Sequence, residues 1–250
     1  MNLIYEEPLV LRSCHCDMEG RWRPDAMLLS MQELAEDHAA QFGNSRAQLL
    51  QKGVVWVLAR LRLEMKRYPV MGDTVRLATW PGQTVRALFP RYYAFCDGTG
   101  EELGTAVTLW MLVDVAEHRM AMPSRFGVTM PDASSLRVPQ PNPGRLGVAA
   151  EGASLSAHRA CAYCDLDVNR HMNNTRYAQW VCDLFPPERF HGRSLSSLQI
   201  NYISEAKPGE HMELFLHDGD SFSVLGRDES TGFTVFEAAG TFLDAPGRAV

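Results

Sequence analysis

The sequence predicts an α+β protein built from two similar units in tandem, each an antiparallel sheet wrapped around a long helix. Three observations carry this prediction. Short passages recur in the same order in the two halves of the 250-residue chain, which indicates an internal duplication. Each half contains one amphipathic helical segment followed by runs with the period of two that is typical of strands. The length also suits two domains better than one, since domains cluster near about 100 to 200 residues.

The repeated passages and a linker between them predict the domain boundaries. The matched passages, in chain order, are 16–19 with 164–167, 61–65 with 198–202, 72–73 with 209–210, and 104–105 with 240–241. Between the copies, residues 123–156 hold five of the 14 prolines, a composition typical of a linker. We therefore expect a first domain at 1–125, a linker at 126–154 and a second domain at 155–250.

In the first unit, the predicted elements are one helix and a series of strands. Pro24 and Asp25 are well placed in a first helical turn, and apolar side chains follow at helical spacing as far as Gly43. Residues 55–66 then alternate, with the odd-numbered side chains facing the core, and Gly98-Thr99-Gly100 predicts a hairpin connection. The further predicted strands cover 74–80, 85–95 and 103–114.

In the second unit, the same order of elements is expected. A helix over 174–185 is stopped by Pro186-Pro187. The predicted strands that follow it cover 195–203, 211–217, 222–227 and 233–243.

Composition excludes several classes of protein. With 46% hydrophobic and 22% charged residues, the chain is typical of a globular protein. Its longest apolar run, Val54–Ala59, is far shorter than the ~20 residues of a membrane-spanning helix. Glu6 and Glu7 stand where a signal peptide would be apolar, so we expect a cytosolic protein. The six cysteines are accordingly expected to be reduced, mostly buried thiols.

The net charge of −6 argues against nucleic-acid binding but conceals a basic tract. Residues 51–100 carry eight Lys or Arg and three acidic residues. Residues 201–250 carry three Lys or Arg and nine acidic residues. The basic tract is consistent with docking of an acidic partner and equally with a solvated strand face.

The segment 165–180 carries the chemistry. It places Asp167, Asn169 and His171 at alternate positions just before a helix that Asn173 is suited to cap. A helix N-terminus offers free N–H groups and partial positive charge, which favour a developing oxyanion. Asp and Asn also commonly build turns, and a lone histidine is often structural. The combination is distinctive because the matched passage of the first half reads Glu19, Arg21 and Arg23.

This segment resembles the acyl-acyl-carrier-protein (acyl-ACP) thioesterases, which have a tandem double hot-dog fold. The resemblance is strongest at 165–180. It extends to the stretches 56–60, 68–69, 72–75 and 79–81. It implies hydrolysis of the thioester between a fatty acyl chain and the phosphopantetheine arm of ACP, with release of free fatty acid. No cofactor is implied, and a monomer and a homodimer both remain open.

The resemblance also implies a set of catalytic residues. The family's Asp, Asn and His fall on Asp167, Asn169 and His171, and its Glu falls on Glu205. Plant members have a cysteine after that Glu, whereas this chain has Ala206, which excludes a papain-like mechanism there. Glu205 is the leading candidate to activate water. Asp167 is expected to orient the network or to share the role of base, and direct attack by a carboxylate to form an anhydride stays open.

The remaining site predictions concern substrate and partner. Under the resemblance, the acyl chain runs between the helix and sheet of the first unit. The candidate lining residues are Met27, Met31, Trp56 and Leu58. Arg60 and Arg62 belong to the basic tract that we expect to dock the strongly acidic ACP. Two other functions remain open, an acyl-CoA thioesterase and a non-catalytic protein that binds acyl thioesters.

Overall fold

The computed structural model describes residues 2–245. Within them lie three α-helices, α1 (Pro24–Gln41), α2 (Arg46–Gln51) and α3 (Asn174–Cys182). The strands are β1 (Tyr5–Val10), β2 (Val54–Met65), β3 (Thr74–Pro81), β4 (Phe89–Cys96), β5 (Glu102–Asp114), β6 (Arg119–Met120), β7 (Ser154–Ala160), β8 (Arg193–Tyr202), β9 (His211–His217), β10 (Ser221–Asp228) and β11 (Thr234–Asp244). The structure therefore confirms the predicted order of helix and strands in each half.

The strands form one antiparallel sheet in the order β1-β3-β4-β5-β2-β8-β11-β10-β9-β7, with β6 beside β5. The second five strands repeat the first five in reverse spatial order, and β2 and β8 meet in the middle. In that central pair Leu61 lies opposite Ile200, Leu63 opposite Leu198, and Arg62 opposite Gln199. This register is the one that a local two-fold axis between the two strands produces. The axis relates residues 61–65 to 198–202, which are the passages that repeat in the sequence.

The helices and the sheet share one core that continues from the first half into the second. Met27 and Met31 of α1 are buried in it together with Leu61 of β2 and Leu198 of β8. Helices α1 and α3 also contact each other. This continuity means that the two units are packed against each other and not merely tethered.

Two matched glycines allow close strand approach in the two halves. A Cβ on Gly104 would lie 2.5 Å from the carbonyl oxygen of Glu64, and one on Gly240 would collide with the carbonyl oxygen of Ser197. Each glycine is on the strand that flanks the central pair. Because any larger residue would force those strands apart, the repeat of 104–105 at 240–241 has a packing reason.

Strand β2 departs from the predicted alternation at a β-bulge between Leu58 and Arg60. After the bulge, odd-numbered side chains such as Leu61 are buried, as predicted; before it, Val54 and Leu58 are buried and Val57 is not. A bulge inserts one extra residue, so it transfers the alternating side chains to the opposite faces. The expectation that odd positions face the core along the whole strand is wrong for this reason.

Strand β4 and helices α3 and α2 also differ from the sequence prediction. Strand β4 begins at Phe89 and not at residue 85, because 85–88 form a tight turn in which Arg86 has a positive φ of 58°. Helix α3 ends at Cys182, so the helix of the second unit is short; the residue before Pro186 is disfavoured in helical conformation. Helix α2 was not predicted, although Ser45 and Gln48 form the capping box of its first turn.

The proline-rich segment between β6 and β7 crosses the outside of the central strand pair. Arg60 of β2 donates to the carbonyl of Pro143, and Gln199 of β8 donates to that of Gly144. Within the described residues, its only regular structure before β7 is the 3₁₀ turn Pro123–Phe126. The division into 1–125, 126–154 and 155–250 stays a prediction.

No helix among residues 2–245 is both long enough and apolar enough to cross a membrane.

Candidate active site

Residues 167–171 form a tight loop immediately before α3. The backbone N–H of Asp167 donates to the carbonyl of His171, and the N–H of Arg170 donates to the carbonyl of Asp167. The Asp167 carboxylate accepts from the backbone N–H of Asn169 at 2.7 Å and from its side-chain amide at 3.2 Å. Arg170 has a positive φ of 64°, and Asn173 caps α3 through Thr175. Asp167, Asn169 and His171 are therefore gathered in one turn, as the motif predicts.

The structure brings Glu205 to this loop. Nδ1 of His171 lies 3.4 Å from a carboxylate oxygen of Glu205, and both side chains are partly exposed. The backbone holds the pair together because the N–H of Met172 donates to the carbonyl of Ala206. An imidazole and a carboxylate that face each other at the surface are suited to exchange protons with a bound water.

The first half contains the same loop, and its equivalences correct the sequence matching. Asp17 accepts from the N–H of Glu19, and its own N–H donates to the carbonyl of Arg21, as Asp167 does with Asn169 and His171. The structural partner of Asp167 is thus Asp17 and not Glu19. The matching of 16–19 with 164–167 is wrong by two residues, because the recurring Cys-Asp pair guided the alignment instead of the turn. The aspartate is common to both copies, and only the asparagine and the histidine are replaced.

Where the second half carries His171 and Glu205, the first half carries Arg21 and Tyr68. The N–H of Trp22 donates to the carbonyl of Pro69, which is the bond that Met172 makes with Ala206. Arg21 is 1% exposed and donates to the carbonyls of Phe190 and Ala245, and Tyr68 is buried and donates to Leu195. The first-half counterpart of this site is therefore filled by side chains that bind the other half.

Arg46 is a further residue of this site, which the sequence did not reveal. It is the first residue of α2, and its Nε donates to the side-chain oxygen of Asn169 at 2.8 Å. The Asn169 side chain is thus held at both ends, by Arg46 and by Asp167. The capping box at Ser45 could have indicated the helix, but a contact between residues 123 positions apart had no signal in one sequence.

A cavity of about 980 Å³ opens beside the loop and extends along the first half. Apolar side chains of the first half line one part of it, and Asp167 and Asn169 line another. The bulkier apolar lining residues of the first half are Leu29, Phe42, Val55, Trp56, Phe89, Trp110 and Met130. The cavity therefore connects an apolar compartment of the first unit with the polar loop of the second. His171, the last residue of this loop, and Glu205 do not line the cavity.

Among the predicted acyl-lining residues, Trp56 lines this cavity and the other three do not. Met27, Met31 and Leu58 are buried, with Met27 and Met31 in the continuous core. Met27 and Met31 belong to the stripe of α1 that is buried in this core, and they are 0% and 1% exposed. The cavity lies along a neighbouring stripe of α1 that includes Leu29 and Gln32.

In the folded protein, several basic side chains of the tract 51–100 are engaged by acidic side chains or by the linker. Arg62 pairs with Glu64 at 2.5 Å, and Lys66 pairs with Glu102, which lies outside the tract. Arg60 is directed to the linker by its bond to Pro143. A separate group of three arginines lines the cavity beside the loop: Arg46, Arg170 and Arg176.

The cysteines differ in exposure, and none of them is in a disulfide bond. Only Cys16 and Cys161 are buried, so the expectation of mostly buried thiols is wrong; Cys96 and Cys182 are partly buried, and Cys14 and Cys164 are exposed. Within residues 2–245, no group of three or more His, Cys, Asp or Glu side chains could hold a metal ion.

Comparison with protein families agrees with this architecture. The model of the acyl-ACP thioesterase N-terminal domain matches residues 2–124, and that of the C-terminal domain matches residues 150–235. The chain belongs to the acyl-ACP thioesterase family.

Curated acyl-ACP thioesterases are distant relatives. A chloroplastic acyl-[acyl-carrier-protein] hydrolase of Cuphea viscosissima is 25% identical over 216 residues, which are 82% of this chain and 52% of that protein. A chloroplastic oleoyl-ACP thioesterase of Coriandrum sativum is 25% identical over 93% of this chain and 66% of its own length. The chain thus spans about half of the Cuphea protein and two thirds of the coriander protein.

Solved acyl-ACP thioesterase structures share the whole fold. An acyl-ACP thioesterase from Bacteroides thetaiotaomicron superimposes with a TM-score of 0.85 at 23% identity, covering 97% of this chain and 98% of that one. The 12:0-ACP thioesterase of Umbellularia californica has a TM-score of 0.78 at 22% identity, with 98% of each chain covered. At these identities the likeness concerns the fold, and it confirms the predicted tandem double hot-dog.

Proposed function

We propose that this protein hydrolyses the thioester of fatty acyl-ACP and releases a free fatty acid. The observation that carries the proposal is the pairing of His171 with Glu205 at 3.4 Å, at a loop that lines one part of a largely apolar cavity. In this reading the first domain, 1–125, holds the acyl chain and the second, 155–250, carries the chemistry.

The proposed position of the substrate follows from the lining of the cavity. The alkyl chain lies against Trp56, Phe89 and Trp110, where its burial is favourable by about 0.8 kcal/mol for each methylene group. We place the thioester where the cavity ends at the loop that carries Asn169, within reach of the partly exposed His171 and Glu205. The phosphopantetheine arm leaves past the arginines beside that loop.

The proposed reaction is direct hydrolysis by water. Glu205, oriented by His171, accepts a proton as a water oxygen forms a bond to the thioester carbonyl carbon. The carbonyl oxygen gains negative charge and is stabilised by an N–H of Asn169, whose amide has two donors and spends only one on Asp167. The C–S bond then breaks, the thiol of the carrier leaves with a proton, and the fatty acid remains.

We assign Asp167 a positioning role in this reaction. Its carboxylate accepts two bonds from Asn169, and Asp17 makes the equivalent backbone bond in the half that lacks the histidine. A carboxylate used in the same way by both copies is explained by the turn that it stabilises. The base is then Glu205.

Replacing Glu205 by glutamine is expected to lower kcat by about 10²- to 10⁴-fold, because the amide cannot accept the proton of the attacking water. The measurement is steady-state release of fatty acid from acyl-ACP. Glu229→Gln is the matched control, since Glu229 also faces a histidine, His158, at 3.8 Å on the surface. An equal loss in both variants would contradict the assignment.

We further propose that ACP docks at the mouth of the cavity, where Arg46, Arg170 and Arg176 lie. Arg60 and Arg62 are engaged by the linker and by Glu64, so we place the docking surface at the mouth and not on the basic tract. An acidic carrier steered to this group of arginines would bind less well as salt is added.

The double variant Arg170→Glu, Arg176→Glu is expected to lower kcat/KM for acyl-ACP by about tenfold at low salt and to flatten its salt dependence. Charge reversal at the exposed Arg76, within the basic tract, serves as the comparison. If Arg76→Glu has the larger effect, the carrier docks on the tract and the mouth assignment fails.

The proposed function is tested with matched acyl-ACP and acyl-CoA thioesters of several chain lengths. Preferential release from ACP supports the proposal, release from CoA alone assigns the protein to the sister class, and binding without release makes it an acyl-thioester binding protein. The cytosolic location stays a prediction, and the names of the plant relatives place those proteins in the chloroplast.

A further inference from the structure

A buried arginine lies on the wall of the acyl cavity, where an alkyl chain has no use for it. Arg91 of β4 is 7% exposed and lines the cavity. One terminal nitrogen, Nη1, lies 3.0 Å from Nδ1 of His38 and 3.3 Å from Oγ1 of Thr79. The proposed chemistry at Glu205 does not involve this group.

The hydrogen bonds of Arg91 are incomplete. A guanidinium has five N–H donors, and the two bonds described here use only the pair on Nη1. Among residues 2–245, no acceptor bonds Nη2 or Nε, and no carboxylate lies within ion-pair distance. Nη2 and Nε have no partner in this part of the chain but are not fully enclosed, so both keep some accessible surface. Since Arg91 lines the cavity, we place these three N–H groups toward it.

The residues behind Arg91 hold it in place. Burial lowers the pKa of His38, so its ring is neutral near pH 7 and Nδ1 accepts from Arg91 while Nε2 donates to the carbonyl of Asn2. Thr79 donates its own proton to the carbonyl of Tyr92 and so presents an oxygen to Arg91. The guanidinium is oriented by two acceptors on one side, which leaves its other side for a ligand.

The charges around the cavity decide which ligand oxygen fits. Glu33 and Glu36 line the same cavity, and Glu36 acts on Arg91 electrostatically from beyond hydrogen-bond distance. Glu36, which acts on Arg91, opposes an anionic ligand group at this position; the other three lining arginines, Arg46, Arg170 and Arg176, lie beside the loop of residues 167–171. A neutral hydroxyl or oxo oxygen accepts hydrogen bonds without that repulsion. A plain alkyl chain would displace water from the N–H groups and replace none of its bonds, which is unfavourable.

We propose that Arg91, held by His38 and Thr79, forms a polar subsite in the acyl cavity that selects acyl thioesters carrying a hydroxyl or oxo oxygen along the chain. This inference rests on the proposed use of the cavity for the acyl chain. Acyl chains with a hydroxyl or oxo oxygen are a substrate class that the apolar part of the lining does not suggest.

The test compares a saturated acyl-ACP with its monohydroxy and oxo isomers, substituted at successive positions, at the chain length that the protein releases best. At least one isomer is expected to have a kcat/KM about tenfold or more above that of the plain chain, because a site built for hydrogen bonding discriminates against an analogue that lacks the oxygen. No preference for any isomer would overturn the inference.

The arginine itself is tested by the ratio of these kcat/KM values. Arg91→Met is expected to bring the ratio for the preferred isomer to within about twofold of one. Arg119→Met, at an exposed arginine of β6, should leave the ratio as in the wild type. An unchanged ratio in a folded Arg91→Met would overturn the assignment.

A second measurement needs no variant and covers the case in which Arg91→Met does not fold. Free hydroxy and oxo fatty acids are compared with plain fatty acids as inhibitors of the wild-type protein, and one isomer is expected to bind about tenfold more tightly. Equal inhibition by all of them would contradict the subsite. Hydrolysis of plain and substituted chains without preference would leave the proposed function standing and remove this inference. Tighter binding of one isomer without hydrolysis of any thioester would support the subsite and contradict the proposed function.

Discussion

Replacing His171 by alanine is expected to lower kcat for acyl-ACP hydrolysis by about 10²- to 10⁴-fold while the protein remains folded. His171 is the group that faces Glu205 in the proposed reaction, and without it the carboxylate loses the partner that orients it toward water. The side chain is partly exposed, so its removal leaves no large cavity in the core. The measurement is the rate of fatty acid release together with the temperature of unfolding.

The chain provides a close control for this variant. His158 and Glu229 form another surface histidine–glutamate pair, 3.8 Å apart, away from the cavity. His158→Ala should keep full activity, because this pair has the same chemistry as His171 and Glu205 but lies elsewhere in the fold. Full activity in His171→Ala, or an equal loss in both variants, would remove His171 from the site.

The largest effect on stability is expected at Arg21, the first-half counterpart of His171. Arg21→Met is expected to lower the free energy of unfolding by about 3 kcal/mol or more, because breaking a buried ion pair leaves its partners uncompensated. Arg21 pairs with Asp17 at 3.2 Å and donates to Ala245 at 2.6 Å and to Phe190 at 2.5 Å. Since the last two residues belong to the second half, the variant weakens the contact between the halves. Urea unfolding curves of both proteins measure the difference.

Arg23→Met is the matched control for Arg21→Met. Arg23 pairs with Asp25 at 3.1 Å, but its side chain is 43% exposed, so the loss should stay below about 1 kcal/mol. Similar losses in the two variants would show that Arg21 does not join the halves. A loss of activity with unchanged stability in Arg21→Met would instead assign it to the site.

Much of the fold could be predicted because hydrophobic patterning is a local property of the sequence. The strand at His211–His217 and the start of α1 at Pro24 were predicted at the observed residues. The prediction was wrong at features that a hydrophobic pattern does not encode. The β-bulge near Leu58 reverses the buried side of β2, and the left-handed Arg86 shortens β4. A period-of-two pattern contains neither a bulge nor a turn of this kind.

The candidate site was predictable as far as it is contained in one segment. Asp167, Asn169 and His171 lie within five consecutive residues, so their types and spacing alone indicate a polar turn before a helix. Glu205 came only from the family resemblance, because a lone acidic residue at the end of a strand carries no signal of its own. The equivalence of Asp167 with Asp17 needed the backbone hydrogen bonds of the two loops.

By itself, the sequence determined the duplication, the order of elements in each unit, the family resemblance and the position of the polar turn. These properties reside in short segments, where residue type and spacing express local backbone preferences. Only the tertiary structure decided that Arg46 holds Asn169, that Met27 and Met31 are core and not cavity wall, and that Arg91 lines the cavity of the first half. Each of these depends on which segments meet in space, and that is set by the packing of the whole chain.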